Sequence, residues 1–468
     1  LKLREMRVLG VDIGTTSLKA TLVIDGKECG VWRSVHGCSS SDSSSRGVQN
    51  SCELLRKTLR LLHEVAVELD HDIDALAVCG QQHGVCTWTE SVFAVDGVYA
   101  DISPLYTWEY DAVPQEFITE MRMETKTEEL HGGYGCVTLA YLHSQNAIPV
   151  THAAGTIMDA LVALLVAEGV EGEKRVLGSR PLISSHNAVS FGLSDGENWL
   201  AAATSSAWHD LLPRIRPPGT EAGPCRNSQV PARLSGCTVY LAMGDLQASI
   251  YPFLHPGVAV VNIGTSAQLC LLASEPDAPS ESAAKLRPSV RADPFFDGRR
   301  VLVAASLNGG NVLDGLIDML LGWTCEVSGN EAEKERAKKA SLLKLLDQES
   351  SSALPSTAVV SDGCPFGERG GRAPEGFALS HLASDTRLIS VLLATAESVI
   401  RNLLCLLPLP PSIVVVAAAG AASLPRFSGP LARLLPDHAT LKLLPHEMSA
   451  AFGAALYTHD LLVRERQG

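Results

Sequence analysis

A strand–turn–strand segment that occurs twice limits what this chain can fold into more than any other feature of its sequence. Val8–Val23 reads V-L-G-V-D-I-G-T-T-S-L-K-A-T-L-V, and Val258–Ala273 reads V-A-V-V-N-I-G-T-S-A-Q-L-C-L-L-A. In each copy apolar and β-branched residues flank a small polar turn, a pattern typical of two paired strands. The shared I-G-T-[ST] turn predicts two homologous lobes, residues 1–250 and 251–468.

The remaining sequence alternates apolar strand-like runs with helical stretches, which predicts an α/β fold. Continuous apolar runs that end in glycine-containing turns are typical of strands in a sheet covered on both faces. The predicted strands are Ala75–Cys79, Val239–Met243 and Ile413–Ala417, and the predicted helices are Cys52–Leu69, Ala154–Glu168, Asn311–Trp323, Glu331–Gln348, Asp385–Leu406 and Ala450–Leu462.

Charge and cysteine content restrict the partners and the compartment. The formal net charge is −14, so no basic field attracts nucleic acid or anionic lipid, and a phosphate ligand has to be held by local backbone donors. None of the 12 cysteines forms a C-x-x-C pair, which is typical of buried thiols in a reducing compartment. We expect a cytoplasmic protein, monomeric or homodimeric, with a small-molecule substrate and no nucleic-acid or membrane partner.

The turn Gly14–Ser17 is the strongest candidate for a ligand site. No Walker phosphate loop and no G-x-G-x-x-G fingerprint is found in the sequence. A glycine nevertheless lets the backbone approach a ligand, and successive N–H groups with Thr15, Thr16 and Ser17 hydroxyls can surround phosphate oxygens. Asp12 would repel that phosphate unless a divalent cation such as Mg²⁺ lay between them. The alternative interpretation is an ordinary hairpin turn.

Five segments together resemble one known family. D-I-G-T-T-S-L-K at 12–19 and N-I-G-T-S at 262–266 resemble the two phosphate motifs of the FGGY carbohydrate kinases, which belong to the actin-like, ribonuclease-H-like ATPases. G-D-L-Q-A-S at 244–249, A-A-S-L-N-G-G-N-V-L at 304–313 and A-A-G-T-I at 153–157 are similar to the sedoheptulokinases of that family. The resemblance implies two actin-like α/β lobes with ATP and sugar in the cleft between them.

The resemblance also assigns residues to the nucleotide. It implies that one group of residues in each lobe binds Mg·ATP and that Asp12 organises the metal. The residues are Gly14, Thr15, Thr16, Ser17 and Lys19 in the first lobe, and Gly264, Thr265 and Ser266 in the second. For the adenosine it implies Gly309, Gly310 and Asn311, and Gly420 with Ala421. Close helix–strand packing is the alternative reason for these small residues.

Asp245 is the predicted catalytic base. Its position after an apolar strand and Gly244 places it where open α/β sheets bind ligands, and a carboxylate there can accept the proton of an attacking hydroxyl. The alternative is that Asp245 caps the following helix. The resemblance implies that the sugar is held by Gln82, His83, Trp108, Asn187 and Gln247. A purely structural role is the alternative for His83.

One segment departs from the family's pattern. The family carries W-x-D-x-R, whereas Trp108–Ala112 reads W-E-Y-D-A, with no neighbouring arginine in sequence. Asp111 or Glu109 could replace the missing carboxylate through a local shift. The resemblance implies phosphorylation of sedoheptulose to the 7-phosphate. The alternatives are another ketose, such as xylulose or ribulose, or a nucleotide-binding sensor or scaffold that no longer phosphorylates sugar.

Overall fold

The chain packs as two lobes. In the computed structural model, the described residues are 5–39, 46–89, 102–128, 130–148, 153–167, 181–227, 229–273, 289–328, 332–350, 360–361, 364–367, 376–444 and 448–467. The first lobe comprises Leu1–Pro252, Pro294–Gly298 and Ser449–Gly468, and the second comprises Phe253–Asp293 and Arg299–Met448.

A mixed sheet organises the first lobe. Its strands follow the order β11-β12-β5-β1-β2-β3, and β13 also pairs with β5. The strands are β1 (Arg7–Ile13), β2 (Ser17–Ile24), β3 (Lys27–Val35), β4 (Val48–Gln49), β5 (Ala75–Gly80), β6 (Cys86–Trp88), β7 (Leu105–Tyr106), β8 (Ala153–Gly155), β9 (Leu182–Ser184), β10 (Arg214–Arg216), β11 (Glu221–Pro224), β12 (Thr238–Tyr240) and β13 (Met243–Gly244). The helices are α1 (Ser51–Glu68), α2 (Gln115–Thr125), α3 (Gly135–Ser144), α4 (Ile157–Val166), α5 (Ser185–Phe191), α6 (Ala201–Thr204) and α7 (Asp245–Ile250).

The second lobe is built on a sheet of order β16-β17-β15-β14-β20-β21. Its strands are β14 (Val258–Ile263), β15 (Ala267–Leu272), β16 (Val290–Pro294), β17 (Arg300–Ser306), β18 (Val360–Ser361), β19 (Leu379–Ser380), β20 (Val415–Gly420) and β21 (Thr440–Leu443). Its helices are α8 (Gly310–Ser328), α9 (Ala332–Glu349), α10 (Leu388–Leu406) and α11 (Pro425–Leu434). Residues of α8, α10 and α11 share one apolar core with the sheet.

The two sheets repeat one topology, as expected for the predicted duplication. In each, a hairpin (β1–β2 or β14–β15) is antiparallel and its first strand pairs in parallel with a third strand (β5 or β20). The third strands end at equivalent glycines, since Gly80 lies opposite Ile13 and Gly420 opposite Ile263. A Cβ would lie 2.4 Å from the Ile13 carbonyl oxygen at the first glycine and 2.7 Å from that of Ile263 at the second.

The C-terminal helix corrects the predicted boundary. α12 (Ala450–Gln467) belongs to the first lobe, although the sequence interpretation placed all of 251–468 in the second. Two glycines allow the close packing: a Cβ on Gly10 would lie 2.0 Å from the Ala451 carbonyl oxygen, and one on Gly453 would lie 1.8 Å from that of Ala248. The position of α12 could not be predicted, because the apolar pattern of a helix does not show which sheet the helix packs against.

Other predicted elements are confirmed with shifted ends. The predicted strand Val239–Met243 is interrupted between β12 and β13, and the start of the predicted helix Ala154–Glu168 is strand β8. α10 has a mean hydropathy of 1.6 and is the one described helix long and apolar enough to cross a membrane. Half of this apolar stretch of α10 is buried in the protein, as in the core helix of a globular lobe.

Candidate functional site

The ends of three neighbouring strands bring two carboxylates to one edge of the first sheet. In the strand register Ile13 lies opposite Gly80, and Gly80 lies opposite Gly244. Asp12 is therefore one residue from the end of β1, while Asp245 follows β13 as the first residue of α7. Carboxyl ends of parallel strands are where open α/β sheets bind ligands. The register brings Asp12 and Asp245 to the same edge, and their roles in one site stay a prediction.

Burial makes both carboxylates unusually basic. The pKa of Asp12 rises from 3.8 to about 6 because the side chain is buried, although Lys19 opposes the rise. The pKa of Asp245 rises from 3.8 to about 7 because of burial first and the nearby negative charge of Asp12 second. A carboxyl with a pKa near neutrality is poised to accept a proton at physiological pH.

Asp245 does not cap α7 in the way that the alternative required. The N-cap position is Gly244, and Asp245 Oδ1 accepts a 2.7 Å hydrogen bond from the Leu246 backbone N–H. A side-chain cap would instead accept from the second or third helical residue. Among the described residues, Asp245 forms no ion pair, so its charge is left for a ligand.

The Gly14–Ser17 turn is closed and held from three sides. Its backbone bond runs from Gly14 N–H to the Ser17 carbonyl at 3.0 Å. His36 Nε2 lies 3.2 Å from the Gly14 carbonyl oxygen, and Gln49 Nε2 donates to the Thr15 carbonyl at 2.8 Å. Trp108 Nε1 donates to Thr15 Oγ1 at 3.1 Å. Thr16 is left exposed, while Lys19 on β2 lies opposite Asp12.

The acidic pair suits a cation held jointly with phosphate, not a preformed metal cage. Among the described residues no group of three or more His, Cys, Asp or Glu side chains is placed to bind a metal. Asp12 Oδ1 is buried and has no hydrogen-bond partner. Because Mg²⁺ is usually bound by one or two carboxylates, waters and substrate phosphates, Asp12 fits that role.

The predicted sugar-contact residues flank the same edge. Gln82 Nε2 donates to Gln247 Oε1 at 3.1 Å, and both side chains are buried. His83 Nδ1 lies 2.7 Å from the Ser190 carbonyl oxygen, and the ring stacks on Tyr134 with centroids 4.7 Å apart. His83 thus has the structural contacts that its alternative interpretation required, and a contact with sugar stays a prediction.

Asn187 lies behind the edge. It is completely buried and donates from Nδ2 to the Ala242 carbonyl at 3.2 Å, next to β13. In this position it supports the strand that leads to Asp245. Its contact with sugar also stays a prediction.

The altered segment acquires an arginine from elsewhere in the chain. Tyr110 is buried against Tyr106, and Asp111 is exposed. Asp111 Oδ1 accepts from the Arg46 backbone N–H at 2.9 Å, and Arg46 Nε lies 3.7 Å from Asp111 Oδ2. Arg46, an exposed residue from another part of the chain, therefore lies beside Asp111 in the altered segment.

The second turn is packed against the start of α8. Gly264 N–H bonds the Ser266 carbonyl at 2.8 Å, Gly310 N–H bonds the Gly264 carbonyl at 2.8 Å, and Asn311 N–H bonds the Thr265 carbonyl at 3.2 Å. A Cβ on Gly309 would lie 2.4 Å from the Ser266 carbonyl carbon. The glycines are therefore required by packing, as the alternative interpretation held, and this packing also fixes the turn.

A cavity of about 530 Å³ opens beside this turn. Five of the residues predicted to bind nucleotide line it, namely Gly264, Thr265, Gly310, Asn311 and Ala421. Gly420 packs beside it, since a Cβ there would lie 2.7 Å from Asn262 Oδ1. The volume lies within the range of ligand pockets, about 300–1,000 Å³.

The cavity wall includes charged residues that sequence reasoning missed. Lys339 Nζ donates to Asp318 Oδ1 at 2.8 Å, and Arg426 Nη1 to Asp347 Oδ2 at 2.7 Å. Gln49 and Arg46 in the first lobe were missed as well. Each was missed because its partner is distant in sequence, and no local motif marks such a contact.

Comparisons with known proteins bear on the family and the fold. No protein-family model matches the chain. Human sedoheptulokinase is 30% identical over 436 residues, which cover 86% of this chain and 86% of that protein. The structure of xylulose kinase from Rhodospirillum rubrum matches with a TM-score of 0.74 at 18% identity, over 99% of this chain and 90% of that one. Plasmodium falciparum glycerol kinase with ADP matches with a TM-score of 0.70 at 14% identity, over 97% and 89%.

The structural matches establish the fold, and the curated relative establishes the family. The two-lobed actin-like α/β fold predicted from the sequence is confirmed. The chain belongs to the FGGY family of carbohydrate kinases and is an ATP-dependent sugar kinase.

Proposed function

We propose that this kinase transfers the γ-phosphoryl group of ATP to the terminal primary hydroxyl of a ketose, with sedoheptulose as the substrate and sedoheptulose 7-phosphate as the product. The substrate is supported by the human and mouse sedoheptulokinases, which are 30% and 29% identical to this chain. The observation that carries the mechanism is the basic carboxylate of Asp245 at the edge of the first sheet, which forms no ion pair with any residue that the structure describes.

Asp245 would act as the general base. Its carboxylate would take the proton of the terminal hydroxyl while that oxygen forms a bond to the γ-phosphorus and the bond to the β,γ-bridging oxygen breaks, releasing ADP. Phosphoryl transfer asks little covalent chemistry of a protein, so positioning and charge stabilisation supply most of the rate. A base of this kind typically contributes about 10²–10⁴-fold.

The turns would hold the nucleotide. Backbone N–H groups and hydroxyls of Gly14–Ser17 with Lys19, and of Gly264–Ser266, would bind phosphate oxygens without a Walker lysine. The second-lobe cavity beside Gly310, Asn311 and Ala421 would take the adenosine. When bound by Asp12 and the phosphates, Mg²⁺ would neutralise charge on the transferred group.

The sugar would lie against the first lobe's edge. His83 would contact its hydroxyls and the ring of Trp108 would pack against it, with Gln82, Gln247 and Asn187 beside or behind them. Asp111 with Arg46 would supply the carboxylate and guanidinium that the altered segment lacks in its usual positions. Such a kinase would serve ketose metabolism of the pentose phosphate type in the cytoplasm.

Another ketose is the second candidate, and the substitution of Tyr110 and Ala112 in the altered segment favours it. We would measure ADP release, coupled to product mass, with sedoheptulose, xylulose, ribulose and no sugar. Sedoheptulose 7-phosphate formed by the wild type and formed far more slowly by Asp245→Asn supports both substrate and base. A preference for xylulose or ribulose would change the assigned substrate and keep the kinase mechanism. ATP binding without phosphorylation of any ketose would support a sensor or scaffold.

A further inference from the structure

Two consecutive glutamines follow the central strand of the first sheet and turn to opposite sides. β5 lies between β1, which carries the first phosphate turn, and β13, which leads to Asp245. Gln81 and Gln82 are the first two residues after β5. They are 3% and 8% exposed, so the two amides are buried between the elements that carry the reactive groups.

Gln81 connects to the phosphate turn through a second amide. Its Nε2 donates to Gln49 Oε1 at 3.2 Å, and Gln49 Nε2 donates to the Thr15 carbonyl at 2.8 Å. Gln49 is 3% exposed. Fixing the Thr15 carbonyl fixes the orientation of the adjoining peptide N–H, which is one of the groups available for phosphate.

Gln82 connects to the helix of the base. Its Nε2 donates to Gln247 Oε1 at 3.1 Å, and Gln247 lies two residues after Asp245 on α7. The two amides pack against Gly244, the residue before Asp245. A Cβ on Gly244 would lie 1.9 Å from Gln82 Nε2 and 2.3 Å from Gln247 Oε1. Gly244 thus leaves the space in which the two amides meet.

Folding alone does not explain this arrangement. Gln81 Oε1 is buried and makes no hydrogen bond within the described part of the chain. An unpaired buried carbonyl lowers stability, and apolar residues of the same size would avoid that cost. The four buried amides form two hydrogen-bonded pairs, Gln81 with Gln49 and Gln82 with Gln247. Because the pairs start from adjacent residues, they are suited to hold the phosphate turn and the base at fixed positions relative to each other.

We propose that Gln81 and Gln82 are positioning residues that set the first phosphate turn and the catalytic base relative to β5, through two separate branches. The nucleotide branch is Gln81–Gln49–Thr15, and the base branch is Gln82–Gln247. This inference rests on the proposed roles of the turn and of Asp245. Gln82 then acts on Asp245 through α7 and not by a contact with sugar.

The test replaces each glutamine by methionine, which keeps length and removes the amide. We expect Gln81→Met, which loses one hydrogen bond, to raise KM for ATP by about three- to tenfold, with KM for the ketose unchanged. Gln49→Met loses two hydrogen bonds and should raise KM for ATP by at least as much. Gln82→Met and Gln247→Met are expected to lower kcat by a similar factor and to leave KM for ATP unchanged. A purely structural role would lower the active fraction in every variant without separating these constants.

Double variants test the branching. Gln49→Met with Gln81→Met should be no worse than Gln49→Met alone, because Gln49→Met already removes the bond to Gln81 as well as the bond to Thr15. Gln82→Met with Gln247→Met should be no worse than the weaker of its two single variants, because the pair shares one hydrogen bond. Gln49→Met with Gln247→Met should multiply the two effects. Gln145→Met, an exposed residue on the C-terminal side of α3, is the matched control and should match the wild type.

Thermal melts show which variants fold. A methionine variant that does not fold is replaced by the asparagine variant at the same position, whose amide is one methylene shorter. Effects of both branches on both substrates, or additivity inside a branch, would overturn the inference. If the wild type binds ATP but phosphorylates no ketose, the proposed function fails separately. The inference is then judged by calorimetric ATP affinity, which must fall in Gln49→Met and Gln81→Met and stay unchanged in Gln82→Met.

Discussion

Replacing Asp245 by asparagine should slow catalysis greatly and at the same time stabilise the folded protein. The side chain is nearly isosteric, so the change removes a charge without opening a cavity. In the folded protein burial and the Asp12 carboxylate disfavour that charge, which is why the pKa of Asp245 is raised to about 7. The unfolded chain has no such penalty.

The size of the gain follows from linkage. A rise in pKa from 3.8 to about 7 corresponds to a ceiling of about 4 kcal/mol, at about 1.4 kcal/mol for each pH unit. A raised pKa favours folding below pH 4, and this stability is lost as pH rises from about 4 to about 7. The asparagine variant avoids the loss, so it should be more stable by about 2–4 kcal/mol at pH 8 and by nothing measurable at pH 4.

The assay is thermal unfolding of ligand-free, magnesium-free protein between pH 4 and pH 8, beside kcat with saturating ATP and ketose. A gain of about 2 kcal/mol raises Tm by about 4–8 °C in a lobe of this size. The kcat should fall by about 10²–10⁴-fold. Asp70→Asn, the same change at an exposed position, should alter neither. An Asp245→Asn variant no more stable than wild type at pH 8 would refute the electrostatic account of the base.

Three further substitutions test other parts of the account. Gly309→Ala should raise KM for ATP by about tenfold or more, because its Cβ would lie 2.4 Å from the backbone of the second turn. Gly322→Ala in α8 is the control: it has open space around it and should leave the steady-state kinetics unchanged. Gly453→Ala should lower the free energy of unfolding by about 1–3 kcal/mol, measured in urea, because its Cβ meets the α7 backbone at 1.8 Å; unchanged stability would contradict the packing of α12. Trp108→Phe should raise KM for ATP about two- to tenfold through loss of the Thr15 hydrogen bond, and an unchanged KM would remove that contact from the mechanism.

Local sequence was enough to predict the parts of the site that follow directly from strand ends. The repeated I-G-T-[ST] turn located the two turns proposed to bind phosphate, and an apolar run before Gly244 located Asp245 at a sheet edge. Apolar patterning also found α1, α4, α8, α9, α10 and α12, whereas α2, α3, α5, α6, α7 and α11 were not predicted. These features depend on residues that are neighbours in the chain.

Contacts between distant segments could not be predicted in this way. Arg46 reaches Asp111 across 65 positions, and Lys339 meets Asp318 across 21. The return of α12 to the first sheet depends on Gly10 and Gly453, whose lack of side chains matters only once the helix is in place. Packing decides such contacts, and one sequence contains no local pattern for it.

The most direct test of the central claim is a competition experiment. Equimolar sedoheptulose, xylulose and ribulose are incubated with wild-type enzyme, Mg²⁺ and limiting ATP, and the phosphorylated products are resolved by mass and by phosphorus NMR. Sedoheptulose 7-phosphate should be the main product, formed in proportion to ADP, and its initial rate of formation should be about 10²–10⁴-fold lower with Asp245→Asn. A pentulose phosphate as the main product would contradict the proposed substrate, and undiminished turnover by Asp245→Asn would contradict the proposed base.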